Sequence, residues 1–136
     1  MVLVSDGQNI QSVNDLTKLD KIAVSTGTTG DYAAQKLFGA TSPKVARFEN
    51  LQLTIKALET GGAQAMISDS AVVGNSVKNN SKQNFTVIDV PDFPVEEYGI
   101  ALRPEDTELL AKIDDALQKV RDSGEYEAIS KKYFAH

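Results

Sequence analysis

Two short stretches carry the residue types from which a small-molecule site could be built. The first is Ser25-Thr26-Gly27-Thr28-Thr29-Gly30, which follows the apolar Ile22-Ala23-Val24 and precedes a helix expected to begin near Asp31. A strand end, a glycine-rich turn and a helix start present bare backbone N–H groups at a positive dipole end, which suits a carboxylate or phosphate. The second is Ser68-Asp69-Ser70, at the exit of the apolar Ala65-Met66-Ile67. A carboxylate beside two hydroxyls suits a ligand ammonium, a charge-assisted pairing that contributes about 1.5–3 kcal/mol. Each stretch has a structural reading too. The glycines permit a turn and a Thr caps the following helix, while Asp69 caps the helix after it. Placed together at the carboxyl ends of neighbouring strands, where doubly wound sheets bind ligands, the amides and the carboxylate would match a zwitterion.

Other chemistries are excluded by composition. The loop lacks the Gly-Lys-Ser/Thr ending of a P-loop and the G-x-G-x-x-G of a dinucleotide site. The chain has no cysteine and one histidine, His136, which leaves neither a Ser-His-Asp triad nor a Cys- or His-rich metal site. No metal ligand set and no cofactor is expected. A net charge of −5 argues against nucleic acid, whose phosphates demand a dense basic patch. The C-terminal Lys119, Arg121, Lys131 and Lys132 are interleaved with acids and read as a solvated helix face. Nothing approaches the ~18 apolar residues of a membrane span, and no signal peptide is seen. Asn79-Asn80-Ser81 and Asn84-Phe85-Thr86 fit the glycosylation sequon, and Phe93 with Tyr98 reads as packing or hinge.

The elements that must position these residues follow from hydrophobic spacing. At 136 residues the chain is one domain's worth, with 41% hydrophobic residues. Val2-Leu3-Val4 is a short apolar run before a turn-rich 5–9, and Ser12 or Asn14 can cap a helical turn within 10–19. Strands are expected at Lys21–Val24, Val45–Phe48, Ala65–Ile67, Phe85–Val90 and Tyr98–Leu102. Helices are expected over 30–38 with Tyr32, Ala33, Leu37 and Phe38 inward, over 51–60 after Asn50, and from Ser70 to about Val77. A Pro-rich break at 90–97 ends the alternation. Pro104 then starts a helix striped by Leu109, Leu110, Ile113, Ala116, Leu117 and Val120, and a last helix covers 125–134. The result is an α/β, three-layer sandwich with a mostly parallel sheet plus C-terminal helices.

Three segments in order, IQSVNDLTKLDKIAVSTGTTGDYAAQKL, ALETGGAQAMISDSAVV and EYGIALRPEDTELLAKIDDALQKVRDSGEYEAISKKYF, span nearly the whole chain. They resemble the family 3 extracellular solute-binding proteins, the polar-amino-acid receptors of bacterial ABC importers, including the glutamine-binding type. The resemblance implies the C-terminal portion of a type II periplasmic-binding-protein fold. In it 1–16 is a hinge strand and linker, 17–95 the second α/β lobe, and 96–136 a second hinge strand with helices that pack on a first lobe. Carried over by position, Thr29 with Gly30 holds the α-carboxylate and Asp69 the α-ammonium. Thr28 lies within the same loop, and Ser25 and Ser68 occupy positions that read the ligand side chain. The family's first lobe is absent, so the chain is expected to be a truncated half-site that binds weakly or not at all by itself, ~1 mM (about −4 kcal/mol) being plausible for one lobe. The parent is expected in the periplasm or on the cell surface, serving an ABC permease. An uncovered C-terminal stripe would favour a homo-oligomer or domain swap. The alternative on the same scaffold is an enzyme of the periplasmic cyclohexadienyl dehydratase kind, with Asp69 as proton donor.

Overall fold

Alternate residues of the short strands enter two different cores, because side chains on a strand point to opposite faces in turn. In a computed structural model, which describes residues 2–4, 9–79, 84–90 and 97–134, five strands form one sheet. The strands are β1 (Val2–Val4), β2 (Ile22–Ser25), β3 (Val45–Phe48), β4 (Ala65–Ile67) and β5 (Thr86–Ile88). Ile22, Val24, Ala65 and Ile67 pack on one face with Leu16, Leu19 and Ala34. Ala23 and Met66 pack on the other with Ala57, Leu58 and Val73. The helices supplying those partners are α1 (Val13–Thr17), α2 (Thr29–Phe38), α3 (Leu51–Glu59) and α4 (Ser70–Asn79). Helices α1 and α2 cover one face and α3 and α4 the other, giving the three layers expected.

The strand order is β3-β2-β4-β1-β5. β2 runs parallel to β3 (Ile22↔Val45) and to β4 (Ile22↔Ala65, Ala23↔Met66). β1 is antiparallel to both β4 (Val2↔Ile67) and β5 (Val2↔Ile88), so four strands share one direction and β1 alone opposes them. β1 is an internal strand of this sheet, and Ile10 and Leu16 are core, within a compact unit spanning Met1–Phe93.

Local signals account for the helix starts. Ser12, not Asn14, caps α1 by accepting from the Asp15 amide, and Asn50 caps α3 by accepting from the Leu53 amide at 3.0 Å. Lys18, then the Gln11 amide and the Ser12 hydroxyl, hold the Asp15 carboxyl well below the usual carboxylate range. In α2 the inward face runs through Gly30, Asp31 and Ala34, with Ala33, Leu37 and Phe38 partly buried. Tyr32, expected inward, is exposed, because that face passes on the other side of its Cα.

The second unit, Pro94–His136, contains α5 (Thr107–Asp122) and α6 (Glu125–Phe134), joined through Gly124. α5 starts at Thr107 and not at Pro104. Arg103 grips the Asp106 carboxylate through Nε (2.8 Å) and Nη2 (3.1 Å), and the Asp106 amide donates to the Arg103 carbonyl, closing a turn ahead of the helix. Among the described residues 98–102 form no strand, contrary to expectation: a strand needs a neighbouring ladder, and the five-stranded sheet does not include them. Leu109, Leu110, Leu117, Tyr126, Ile129 and Tyr133 are exposed within this unit, and α5 has no buried residue. The basic residues do form a solvated face, with Lys119 on Asp115 at 2.6 Å. The turn at 5–8, the Pro-rich break at 91–96 with Phe93, the sequon residues Asn80 and Ser81, and His136 lie outside the described residues. Among the described residues no helix is long and apolar enough to cross a membrane.

Candidate functional site

β2 and β4 are adjacent and parallel, so their carboxyl ends emerge side by side, one leading into the Ser25–Gly30 loop and the other into Ser68-Asp69. α2 begins hard against the end of β4. A Cβ added to Gly30 would stand 2.4 Å from the Ile67 carbonyl oxygen, 3.0 Å from its carbon and 3.4 Å from the Ser68 Cα. Only glycine lets a helix start at this separation. The close approach brings the Thr29 hydroxyl to the Asp69 carboxylate, donating to Oδ1 at 3.0 Å across 40 residues of sequence. Asp69, half-buried, precedes α4, and its carbonyl accepts from the Val73 amide at 2.9 Å.

The loop is pinned from below. The Thr26 amide (2.8 Å) and hydroxyl (3.0 Å) both donate to the Phe48 carbonyl. Thr28 is the α2 cap: its hydroxyl donates to the Ser25 carbonyl at 2.8 Å and accepts from the Asp31 amide. Thr28 is therefore committed to holding the turn. We expect Thr28→Ala to cost about 1 kcal/mol, read as a fall in the urea unfolding midpoint. Gly27 takes φ +74°, a left-handed conformation natural to glycine, and its amide donates to Asp31 Oδ2 at 3.1 Å.

Asp31 is the buried charge bracing this loop that sequence reasoning missed. It is 3% exposed and pairs with Arg47 Nε at 2.8 Å, while Gln35 Nε2 donates to the same carboxylate at 3.2 Å. Burial pushes its carboxyl up, but the Gly27 amide, the Gln35 amide and the Arg47 guanidinium outweigh this and hold it below the ordinary value. The available signals were Gln35 four residues on and an arginine inside the short strand VARF.

With these bonds assigned, the amides of Thr29 and Gly30 are left at the start of α2 with no acceptor among the described residues. They can take an anion. Ser68 links Ile67 to Asp69 at the same edge, whereas the Ser25 hydroxyl lies 3.1 Å from that of Thr54 on α3. The structure thus joins Thr29, Gly30, Ser68 and Asp69 at one edge, uses Thr28 as a cap and ties Ser25 to α3. Among the described residues no group of three or more His, Asp or Glu is placed to hold a metal ion.

The profile of the bacterial extracellular solute-binding proteins, family 3, matches residues 1–136. A protein of Neisseria gonorrhoeae named as a probable histidine-binding protein is 50% identical over 135 residues, covering 99% of this chain and 50% of that protein. A glutamine-binding protein of an ABC transporter from Bacillus subtilis is 30% identical, covering 97% of this chain and 46% of its own length. Among solved structures, an arginine-, lysine- and histidine-binding protein from Geobacillus stearothermophilus is 40% identical. It superposes with a TM-score of 0.79, covering 99% of this chain and 58% of that one. The chain spans about half the length of the curated relatives it matches.

Proposed function

Since this chain belongs to the bacterial extracellular solute-binding proteins, family 3, we propose that its first unit holds the backbone end of a free L-amino acid. The carrying observation is the 3.0 Å contact between Thr29 and Asp69, which sets two free helix-start amides beside a carboxylate. The amides of Thr29 and Gly30 take the α-carboxylate, and Asp69 takes the α-ammonium. The Thr29 hydroxyl has one hydrogen, and Asp69 receives it. Thr29 thus braces the two halves of the zwitterion site, and the carboxylate is left to the amides. Ser25 and Ser68, at the two strand ends, face the ligand side chain.

These residues make half of a site, the remaining contacts coming from a lobe beyond these 136 residues. The whole protein delivers a polar or cationic amino acid to an ABC permease from the periplasm or the cell surface. Relatives named for binding histidine, glutamine and arginine support that ligand class and favour a carrier over a dehydratase.

An amide NMR titration of this chain with single L-amino acids, against acetate, tests the reading. We expect saturable shifts at Thr29, Gly30 and Asp69 with a Kd of about 1 mM. Asp69→Asn should weaken binding by roughly 10- to 100-fold, the worth of one charge-assisted hydrogen bond. Identical shifts with acetate, or none at those amides, would overturn it.

A further inference from the structure

We propose that Ser25 meets the ligand side chain only as a hydrogen-bond acceptor, so that the site takes amino acids with N–H donors and turns away carboxylates. This rests on the reading of Ser25 as part of the ligand site. Its basis is the direction of two hydrogen bonds. Thr54 is 0% exposed, one turn into α3, and its hydroxyl has a single hydrogen. The Asn50 carbonyl oxygen can only accept, and it lies 2.9 Å from Thr54 Oγ1, so that hydrogen is spent there. Ser25 Oγ lies 3.1 Å from the same Thr54 oxygen. With Thr54 already donating elsewhere, the hydrogen in this contact is Ser25's own. Thr54 is closed off from bulk solvent.

What Ser25 then offers is lone pairs. It is half-buried, the last residue of β2, at the mouth of the loop. An ammonium, guanidinium, imidazole or amide N–H can be received there. A carboxylate oxygen meets lone pairs of its own kind, with no hydroxyl hydrogen left to bridge them. Discrimination of this sort comes from the mismatched partner left unpaired and exceeds what shape alone achieves.

Glutamine and glutamate, equal in size and differing in this one respect, are the probes. In amide NMR titrations the native chain should bind glutamine at least about tenfold more tightly than glutamate. Thr54→Val keeps the buried volume but removes the acceptor, freeing the Ser25 hydrogen to turn outward, and the ratio should fall to within about threefold. Thr54→Ser keeps the oxygen and should keep the ratio, and Ser25→Ala should abolish it. Equal affinities in the native chain, or a ratio untouched by Thr54→Val in a variant with a native-like amide spectrum, would overturn the proposal. If both ligands shift Thr29, Gly30 and Asp69 equally, the site stands and only the assignment to Ser25 fails. If neither shifts them, the site itself fails and the proposal with it.

Discussion

Gly30→Ala should destabilise the first unit by about 3 kcal/mol and abolish ligand shifts, although alanine is ordinarily worth ~1 kcal/mol more than glycine in a helix. The sign is decided by what the new methyl would strike. The nearest atoms, at 2.4 and 3.0 Å, are the carbonyl oxygen and carbon of Ile67, backbone atoms of an interior strand that cannot rotate aside. Relief requires the start of α2 to move off β4, and that movement pulls Thr29 from Asp69. Gly62→Ala is the matched control, since its nearest neighbour would be 3.4 Å away in ordinary contact. Urea unfolding of both variants, with amide spectra at Thr29 and Ser68, reads the result. A Gly30→Ala protein as stable as the native chain would mean that α2 and β4 do not approach so closely.

Asp31→Ala should cost about 3 kcal/mol, the lower end for removing one partner of a buried pair, because Arg47 keeps 27% of its side chain in contact with solvent. The loss has two parts: an arginine left without its carboxylate, and a loop whose Gly27 amide loses its acceptor. Arg47 Nη2 is already buried with no hydrogen-bond partner among the described residues. Removing both residues in Asp31→Ala/Arg47→Met should therefore cost less than the sum of the single changes. A pH signature accompanies it. The folded-state carboxyl of Asp31 is held below its unfolded value of about 3.9, so the unfolded chain binds the proton first as acid is added. Its contribution is complete at neutral pH and is lost as pH falls through the acid range toward the lowered value. Stability of Asp31→Ala should be less sensitive to pH below about 4 than that of the native chain. Denaturant midpoints at a series of pH values distinguish the two, and parallel curves would remove Asp31 from this role.

The layers were legible because both periods were strong. Ile22-Ala23-Val24 and Ala65-Met66-Ile67 are too short and apolar for amphipathic helices, and Leu51, Ile55 and Leu58 recur at helical spacing. The loop and Asp69 were legible as types at strand ends. Their contact was not, because it spans 40 residues and depends on which strands are neighbours. Asp31 was hidden for the same reason: a charge at a helix start reads as dipole compensation until its arginine, on β3, is seen beside it. Tyr98–Leu102 has the composition of a strand, but composition supplies no ladder.

β1 lies between two strands that follow it far along the chain, Val2 opposite Ile67 on one side and Ile88 on the other. Of the five strands it is made earliest, yet both of its partners in the sheet, β4 and β5, are made later. The parallel β3-β2-β4 core can assemble while β1 waits, and β5 can attach to the sheet only through it. Closing so long a loop delays folding more than it weakens the final state. The three residues Val2–Val4 therefore act as a late-closing seam, and until they dock, the edge of β4 and all of β5 remain open to pairing with other chains.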